Sequence, residues 1–284
     1  MKKSRIYKIL LFSWYNIYEV RYMKKIKISI LMYLIAAILL GFYAYFQLSK
    51  EIIMTPLGRV VLLVLSCIFM YIGAIILSRV LDKHKKLPFK INLAICFLLY
   101  LLLLSTLTLF DDYFRRGNLS IAPWNKELLK NYLNTRFNII PFKTIYMYIS
   151  KYLSGYFSTK IFMYNIVGNI VALMPFAFFL PLIFRRQNKF KTFTITVIVV
   201  VILIEGIQFL TLSGSCDIDD LILNVGGSCL LFGILSIKSI KNFIRNIFLL
   251  EDNEINYIHL VLNIILISII FVVLGILINN FINI

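Results

Sequence analysis

The sequence predicts an all-α polytopic membrane protein with about seven transmembrane helices and a central four-helix core. Three observations predict it. Of 284 residues, 61% are hydrophobic and only 15% are charged, against about 25% charged in an ordinary soluble domain. The mean hydropathy is +0.88, more apolar surface than one soluble core of this size can hide. The apolar residues also fall in runs of about 20, the length needed to cross a bilayer as a helix. Runs this long without alternation fit helices and not a barrel. The same composition excludes a soluble cytosolic enzyme, a disulfide scaffold and a disordered chain.

Seven stretches are expected to span: Ile28–Leu48, Val60–Val80, Ile91–Phe110, Ile161–Phe184, Thr192–Leu212, Ile218–Ile237 and Tyr257–Ile278. The sixth is the least apolar at its start, where Asp219 and Asp220 occupy its first turn. Pro175 and Pro181 sit in the fourth and are expected to kink it. Before the first span, Met1–Val20 is basic, with a short broken apolar stretch at Ile9–Trp14 and no small-residue cleavage site after it. It reads as a retained cytoplasmic segment lying on the membrane surface. Three parts follow: an N-terminal part over 1–90 with two accessory spans, a core over 91–236, and a C-terminal part over 237–284 with one more span.

The 30 Lys and Arg exceed the 13 Asp and Glu, for a net charge of +17. In a soluble chain this would suggest nucleic acid. Here the cations lie between apolar runs, so topology and anionic lipid at the cytoplasmic face explain them, and no nucleic acid is expected. Residues 1–27 carry eight cations, and the turns after the second, fourth and sixth spans carry more. The expected topology puts the N-terminus in the cytoplasm and the C-terminus outside. The loop 111–160, with eight cations of its own, then faces the extracytoplasmic side. Its Trp124, Tyr132, Phe137 and Phe142 suit an interfacial, partly re-entrant or membrane-lying segment.

No metal or cofactor is expected. Cys67, Cys96, Cys216 and Cys229 form no CxxC pair, and His84 and His259 are far apart. HExxH, GxSxG and P-loop motifs are absent from the sequence.

Polar groups at membrane depth carry the functional information, since a charge at mid-membrane costs about 2.5–3.5 kcal/mol on insertion scales. Glu205 is one, about 10 Å from the end of its span at helical rise, with Gln208 on the same face. Across a short turn lie Asp217, Asp219, Asp220, Asn224 and Gly227 in CDIDDLILNVGG. If a helix starts at Asp217, then Asp217, Asp220, Asn224 and Gly227 share one stripe. Asp217 is equally well placed as a helix N-cap, with Asp219 and Asp220 favoured by the helix dipole. Gly226 and Gly227 are expected to permit close helix packing. The fourth span adds Asn165 and Asn169, four apart on one face, and the long loop adds Asn138 in NIIPF. Asn165, Asn169 and Asn224 serve equally well as interhelical hydrogen-bonding groups. No Lys or Arg in a neighbouring span offers Glu205 a counter-charge. The expectation is that these acids and amides meet in one outward-opening cavity.

The order of these motifs resembles the VanZ-like family, named for a teicoplanin-resistance protein. STLTLF (105–110), NIIPF (138–142), YNIVGN (164–169) followed by Pro175, EGIQ (205–208) and DIDDLILNVGG (217–227) carry the resemblance, which covers roughly residues 91–236. Members of that family usually carry an Arg shortly before the DIDD run; here 211–217 contains none. The resemblance implies a bacterial cell-envelope membrane protein concerned with lipoglycopeptide tolerance, and supplies no reaction.

Three functions stand beside one another at this stage. The first is an envelope protein that binds or shields a lipid-linked cell-wall precursor, or excludes a lipid-anchored lipoglycopeptide, with Asn138, Asn165, Asn169, Gln208, Asp219 and Asn224 as binding residues. The second is an intramembrane enzyme on a lipid-linked substrate. There Glu205 is general acid or base, and Asp217 and Asp220 orient a nucleophile or hold a divalent cation. The third is a carrier with Glu205 as proton site.

Overall fold

A computed structural model describes residues 2–48, 56–81, 85–108, 121–248 and 257–282. The end of STLTLF and the loop cations Lys50, Lys83, Arg115 and Arg116 lie outside the described residues. Nearly everything described is helix: α1 (Lys2–Leu48), α2 (Pro56–Ser78), α3 (Leu87–Thr108), α4 (Lys126–Thr135), α5 (Lys143–Leu153), α6 (Thr159–Phe162), α7 (Asn169–Ala172), α8 (Met174–Ile183), α9 (Phe190–Thr211), α10 (Ile218–Ser236), α11 (Lys238–Ile247) and α12 (Tyr257–Ile282). A π-helical segment, Met163–Gly168, joins α6 to α7, and two short strands, β1 (Phe137–Asn138) and β2 (Cys216–Asp217), pair in parallel. Among the described residues, six helical stretches are long and apolar enough to cross a membrane: Val20–Phe46, Val60–Ser78, Leu87–Ser105, Thr159–Ile183, Phe190–Thr211 and Ile218–Ser236. They match the first six expected spans within a few residues, except that the first reaches back to Val20. The seventh expected span falls in α12, whose apolar stretch Val261–Val273 is shorter. The chain is an all-α multi-pass membrane protein.

Residues 2–48 form one continuous helix, not a separate surface segment followed by a span. The reason is local: no Pro occurs before Pro56 and no Gly before Gly41, so nothing interrupts the hydrogen-bond ladder.

The chain divides into two compact units, Met1–Leu93 with Ile247–Ser268, and Ala94–Asn246 with Ile269–Ile284. In the first, α1 packs along α2. Ser29 donates to the Gly73 carbonyl at 2.9 Å, and Gly73 leaves room for the Tyr33 ring. Tyr33 donates to Asn92 Oδ1 at 3.2 Å, and Asn92 Nδ2 donates to the Met70 carbonyl at 2.9 Å. Polar side chains in apolar helices have to find such partners, because lipid offers none.

The second unit is built around α10, which packs on α7, α8 and α9. Gly227 sets its closest approach. A Cβ there would collide with the Ile170 backbone carbonyl of α7, whereas Gly226 is exposed with open space around it. Of the two glycines expected to permit close packing, only the second does so. On the other side Phe232 stacks on Phe193 of α9, ring centroids 4.5 Å apart.

The fourth span is broken at Leu173, not merely kinked. Pro175 falls in the first turn of α8 and has no N–H to give to the preceding turn. Phe176 N–H turns to the Leu173 carbonyl at 3.0 Å. The Ala172 carbonyl, which Phe176 would meet in an unbroken helix, accepts instead from the Tyr100 hydroxyl of α3 at 2.8 Å.

Replacing Gly227 by Val will lower the thermal midpoint in detergent sharply, since overpacking against a backbone carbonyl costs about 1–3 kcal/mol or more. Gly226→Val will leave the midpoint within a degree or two. Equal midpoints for the two variants would contradict the packing of α10 on α7.

Candidate functional site

The long loop is fastened to the membrane core by two acids of the DIDD run. Asp217 is the N-cap of α10, its side chain accepting from Asp219 N–H at 2.9 Å. The same carboxylate accepts from Asn138 Nδ2 at 2.9 Å and from the Thr144 hydroxyl at 2.6 Å. Asp219 is fully buried. Its carboxylate accepts three backbone N–H groups from the start of α5: Phe142 at 2.5 Å, Thr144 at 2.7 Å and Ile145 at 3.1 Å. Helix α5 has no side-chain cap of its own, and Phe142 before it is left-handed at φ 64. Asp219 is therefore its cap, supplied from another helix. The β1–β2 pairing continues the fastening, with Cys216 N–H donating to the Arg136 carbonyl at 2.9 Å.

Beside this latch lies a cavity of about 440 Å³. Glu205 and Gln208 of α9, Asp220 and Asn224 of α10, Asn169 of α7 and Asn165 of the π-helical segment all line it. Tyr148 of α5, Tyr164, Arg136, Thr108 and the turn Leu212–Ser215 add further polar groups, and Leu104, Ala172, Leu173, Val201 and Ile204 give it an apolar side. Six of the nine residues singled out in the sequence thus meet on one cavity. Asn138, Asp217 and Asp219 are not in its lining; they hold the loop. The stripe through Asp217 does not form, because α10 begins at Ile218 and Asp217 is extended at φ −129. The two groups meet where Asp217 N–H lies 3.4 Å from Glu205 Oε2.

The amides share an orientation. Asn165 Nδ2 donates to the Ile161 carbonyl at 2.8 Å, Asn169 Nδ2 to the Asn165 carbonyl at 3.1 Å and Asn224 Nδ2 to the Asp220 carbonyl at 2.8 Å. Gln208 Nε2 donates to the Thr108 carbonyl at 2.7 Å. A main-chain carbonyl can only accept, so each contact fixes which end of the amide is nitrogen. Asn169 Nδ2 also donates to the Asp220 carboxylate. With one N–H of each amide held by a main-chain carbonyl, the amide oxygens remain as acceptors beside two carboxylates of the same lining. The lining is rich in hydrogen-bond acceptors.

Donors are fewer. Arg136 Nη1 donates to the Leu212 carbonyl at 3.2 Å, which seats its guanidinium on the turn after α9. Burial raises the Tyr148 hydroxyl above its ordinary pKa, and Asp220 and Asp217 raise it further, so it remains a neutral donor. Tyr132 of α4 is pushed up to about 12 by burial first and by its neighbours Cys216 and Glu205 after it. Sequence reasoning did not single out Arg136, Tyr148 or Tyr164. Arg136 stands two residues before Asn138, and that proximity to NIIPF was the available signal.

The VanZ/LLP1 family model matches residues 97–240, about half of the chain. The chain belongs to the VanZ/LLP1 family. Every residue that lines the cavity falls inside the matched segment, and α1, α2 and α12 fall outside it. No curated protein matches the chain, and no solved structure does.

Asp219→Ala will strand three backbone N–H groups, at a cost of more than about 3 kcal/mol. Amide exchange at Phe142–Ile145 will accelerate at least tenfold, ahead of the helices of the core. Unchanged exchange there would exclude the cap.

Cys216 tests the cavity's electrostatics. Its thiol is raised above the ordinary value by burial, then by Glu205, Asp217 and Asp220. Less thiolate at pH 8 means slower alkylation than a free thiol. Glu205→Gln removes one neighbouring negative charge and will speed alkylation of Cys216, read by peptide mass spectrometry, roughly twofold. A rate indifferent to Glu205 would place that carboxylate elsewhere.

Proposed function

We propose that this VanZ/LLP1 protein binds the polar head of a lipid-linked cell-envelope component in the cavity, facing outward, and thereby contributes to lipoglycopeptide tolerance. The acceptor-rich lining carries this reading. Carboxylates of Glu205 and Asp220 and amide oxygens of Asn165, Asn169 and Asn224 suit a head that offers many donors, as sugar hydroxyls do. Arg136 and Tyr148 supply the complementary donors that hydroxyls accept. The volume supports a head group over an intact drug. About 440 Å³ is in the lower half of the roughly 300–1,000 Å³ range for small-ligand sites. A many-ringed glycopeptide does not fit inside it. Tolerance then comes from occupancy of, or action on, the envelope component that such drugs target.

Two carboxylates on one cavity also favour a second reading, an enzyme acting on the same component with Glu205 as general acid or base. Asp220 would then orient the reacting hydroxyl. The two readings share a ligand and differ in whether product appears.

Expression of the parent in a susceptible bacterial host will raise tolerance to teicoplanin. Glu205→Gln, Asp220→Asn and Asn169→Ala at equal membrane abundance will abolish the rise. Identical susceptibility with and without the parent would overturn the proposal. Release of a modified envelope lipid by the parent but not by Glu205→Gln would favour the enzyme.

A further inference from the structure

Helix α5 has two unlike faces. On one, Thr144 and Ile145 are tied to Asp217 and Asp219, Tyr148 lines the cavity, and Tyr152 stacks on Phe162 with ring centroids 4.6 Å apart. On the other, Phe142, Tyr146, Ile149 and Leu153 follow at steps of four, three and four, which puts them in one stripe. All four are exposed, Tyr146 at 72% and Leu153 at 77%. Ile139 and Ile140 before the helix are exposed as well.

A contiguous apolar surface needs a partner, and the chain's own course says which. The candidate span Thr159–Ile183 begins after residues 154–158. Five residues reach at most about 17 Å, so α5 lies at the membrane boundary. One lysine borders the stripe: Lys143 is exposed about 100° around the helix from Phe142. An exposed apolar stripe with a lysine at its border, this close to a span, fits a helix lying among lipid head groups, apolar side toward the acyl chains.

We propose that α5 is the lipid-side wall of the cavity, and that the cavity's ligand is an amphiphile with a hydroxyl-rich head. The head enters along the seam between α5 and the π-helical segment, and the apolar tail stays in the bilayer. Tyr148 from α5 and Tyr164 and Asn165 from the π-helical segment line the cavity at this seam. The widened π turn is the sort of local irregularity found where helices form sites. The inference rests on the reading of the cavity as the site of a lipid-linked head group and adds the wall that faces lipid and the route of entry.

Two arms test it on the full chain in phosphatidylglycerol–phosphatidylethanolamine vesicles. In the first, Cys67, Cys96, Cys216 and Cys229 are replaced by Ala or Ser. A fluorophore is then attached at Tyr146→Cys, Leu153→Cys or, on α4, Lys126→Cys. Nitroxide-bearing lipid will quench the two α5 positions severalfold more than the α4 position, and aqueous iodide will show the reverse order. Iodide quenching as strong at 146 and 153 as at 126 overturns a membrane-lying α5. In the second arm, an alkyl glucoside with a diazirine in its chain is photolysed with the parent. Label on the peptide containing Tyr146–Leu153 will fall at least fivefold in Glu205→Gln and in Asn169→Ala, both first shown to elute as the parent does. Labelling indifferent to these substitutions, or displaced as well by free glucose, overturns the route. The two failures are distinguishable. Unchanged drug tolerance with cavity-dependent labelling counts against the tolerance reading alone, and changed tolerance with cavity-independent labelling counts against the route alone.

Discussion

A single carboxylate organises the site. Asp219 is fully buried and accepts three main-chain N–H groups from a helix that begins 76 residues before it. Burying an ionised carboxylate is costly, and charge-assisted bonds to several backbone donors are what make it tolerable. The exchange is reciprocal. The first turn of α5 has donors with no partner of its own, and Asp219 has acceptor capacity with no solvent. Phe142 is left-handed, and in that conformation its N–H reaches the carboxylate together with those of Thr144 and Ile145. Such a conformation in a non-glycine residue costs about 1–2 kcal/mol, which three strong hydrogen bonds offset. Through this contact a loop outside the core becomes a wall of the site: it fixes α5, and with α5 the place of Tyr148, while the adjoining strand pair fixes Arg136.

The four acids nearest the turn therefore do two kinds of work. Asp217 and Asp219 face the loop and are consumed by it. Glu205 and Asp220 face the cavity. The division follows from where α10 starts. An N-cap residue is extended, so its side chain leaves the helical stripe and turns back over the first turn. Asp219 and Asp220 are neighbours in sequence but about 100° apart around the helix at 3.6 residues per turn. One meets α5, the other Asn169.

Much of this was legible in the sequence. Length and hydropathy suffice for the spans, because lipid imposes one solution on the backbone. Polar residues inside those spans identify six cavity residues, because placing them in lipid is costly without a purpose. Two things were hidden. The starting residue of α10 decides whether Asp217 belongs to the stripe, and helix boundaries are the least determined feature of a sequence. The role of Asp219 depends on an uncapped α5, whose N–H groups leave no mark in side-chain composition. The break at Leu173 was half visible: Pro175 announces a missing donor, but Tyr100 as the partner of the Ala172 carbonyl is a tertiary fact.

Arg136 shows how the site obtains a cation the local motif lacks. The turn between α9 and α10 contains no Arg, where the VanZ-like pattern usually has one. Yet a guanidinium sits on that turn, donated from the long loop and bonded to the Leu212 carbonyl. Leu212 ends α9 in a left-handed conformation, φ 53, with its N–H bonded back into the helix. Its carbonyl is one of the groups that a helix end leaves for an outside donor. The Arg136 main chain is held at the same time, since its carbonyl accepts from Cys216. Both ends of the residue are thus fixed, and its charge joins a lining whose polar part carries two carboxylates and four amides. A cavity of acceptors alone would favour a bare cation. A guanidinium, two phenols and the serine hydroxyls of the turn among them shift the preference toward groups that donate and accept together, which is the chemistry of a hydroxyl.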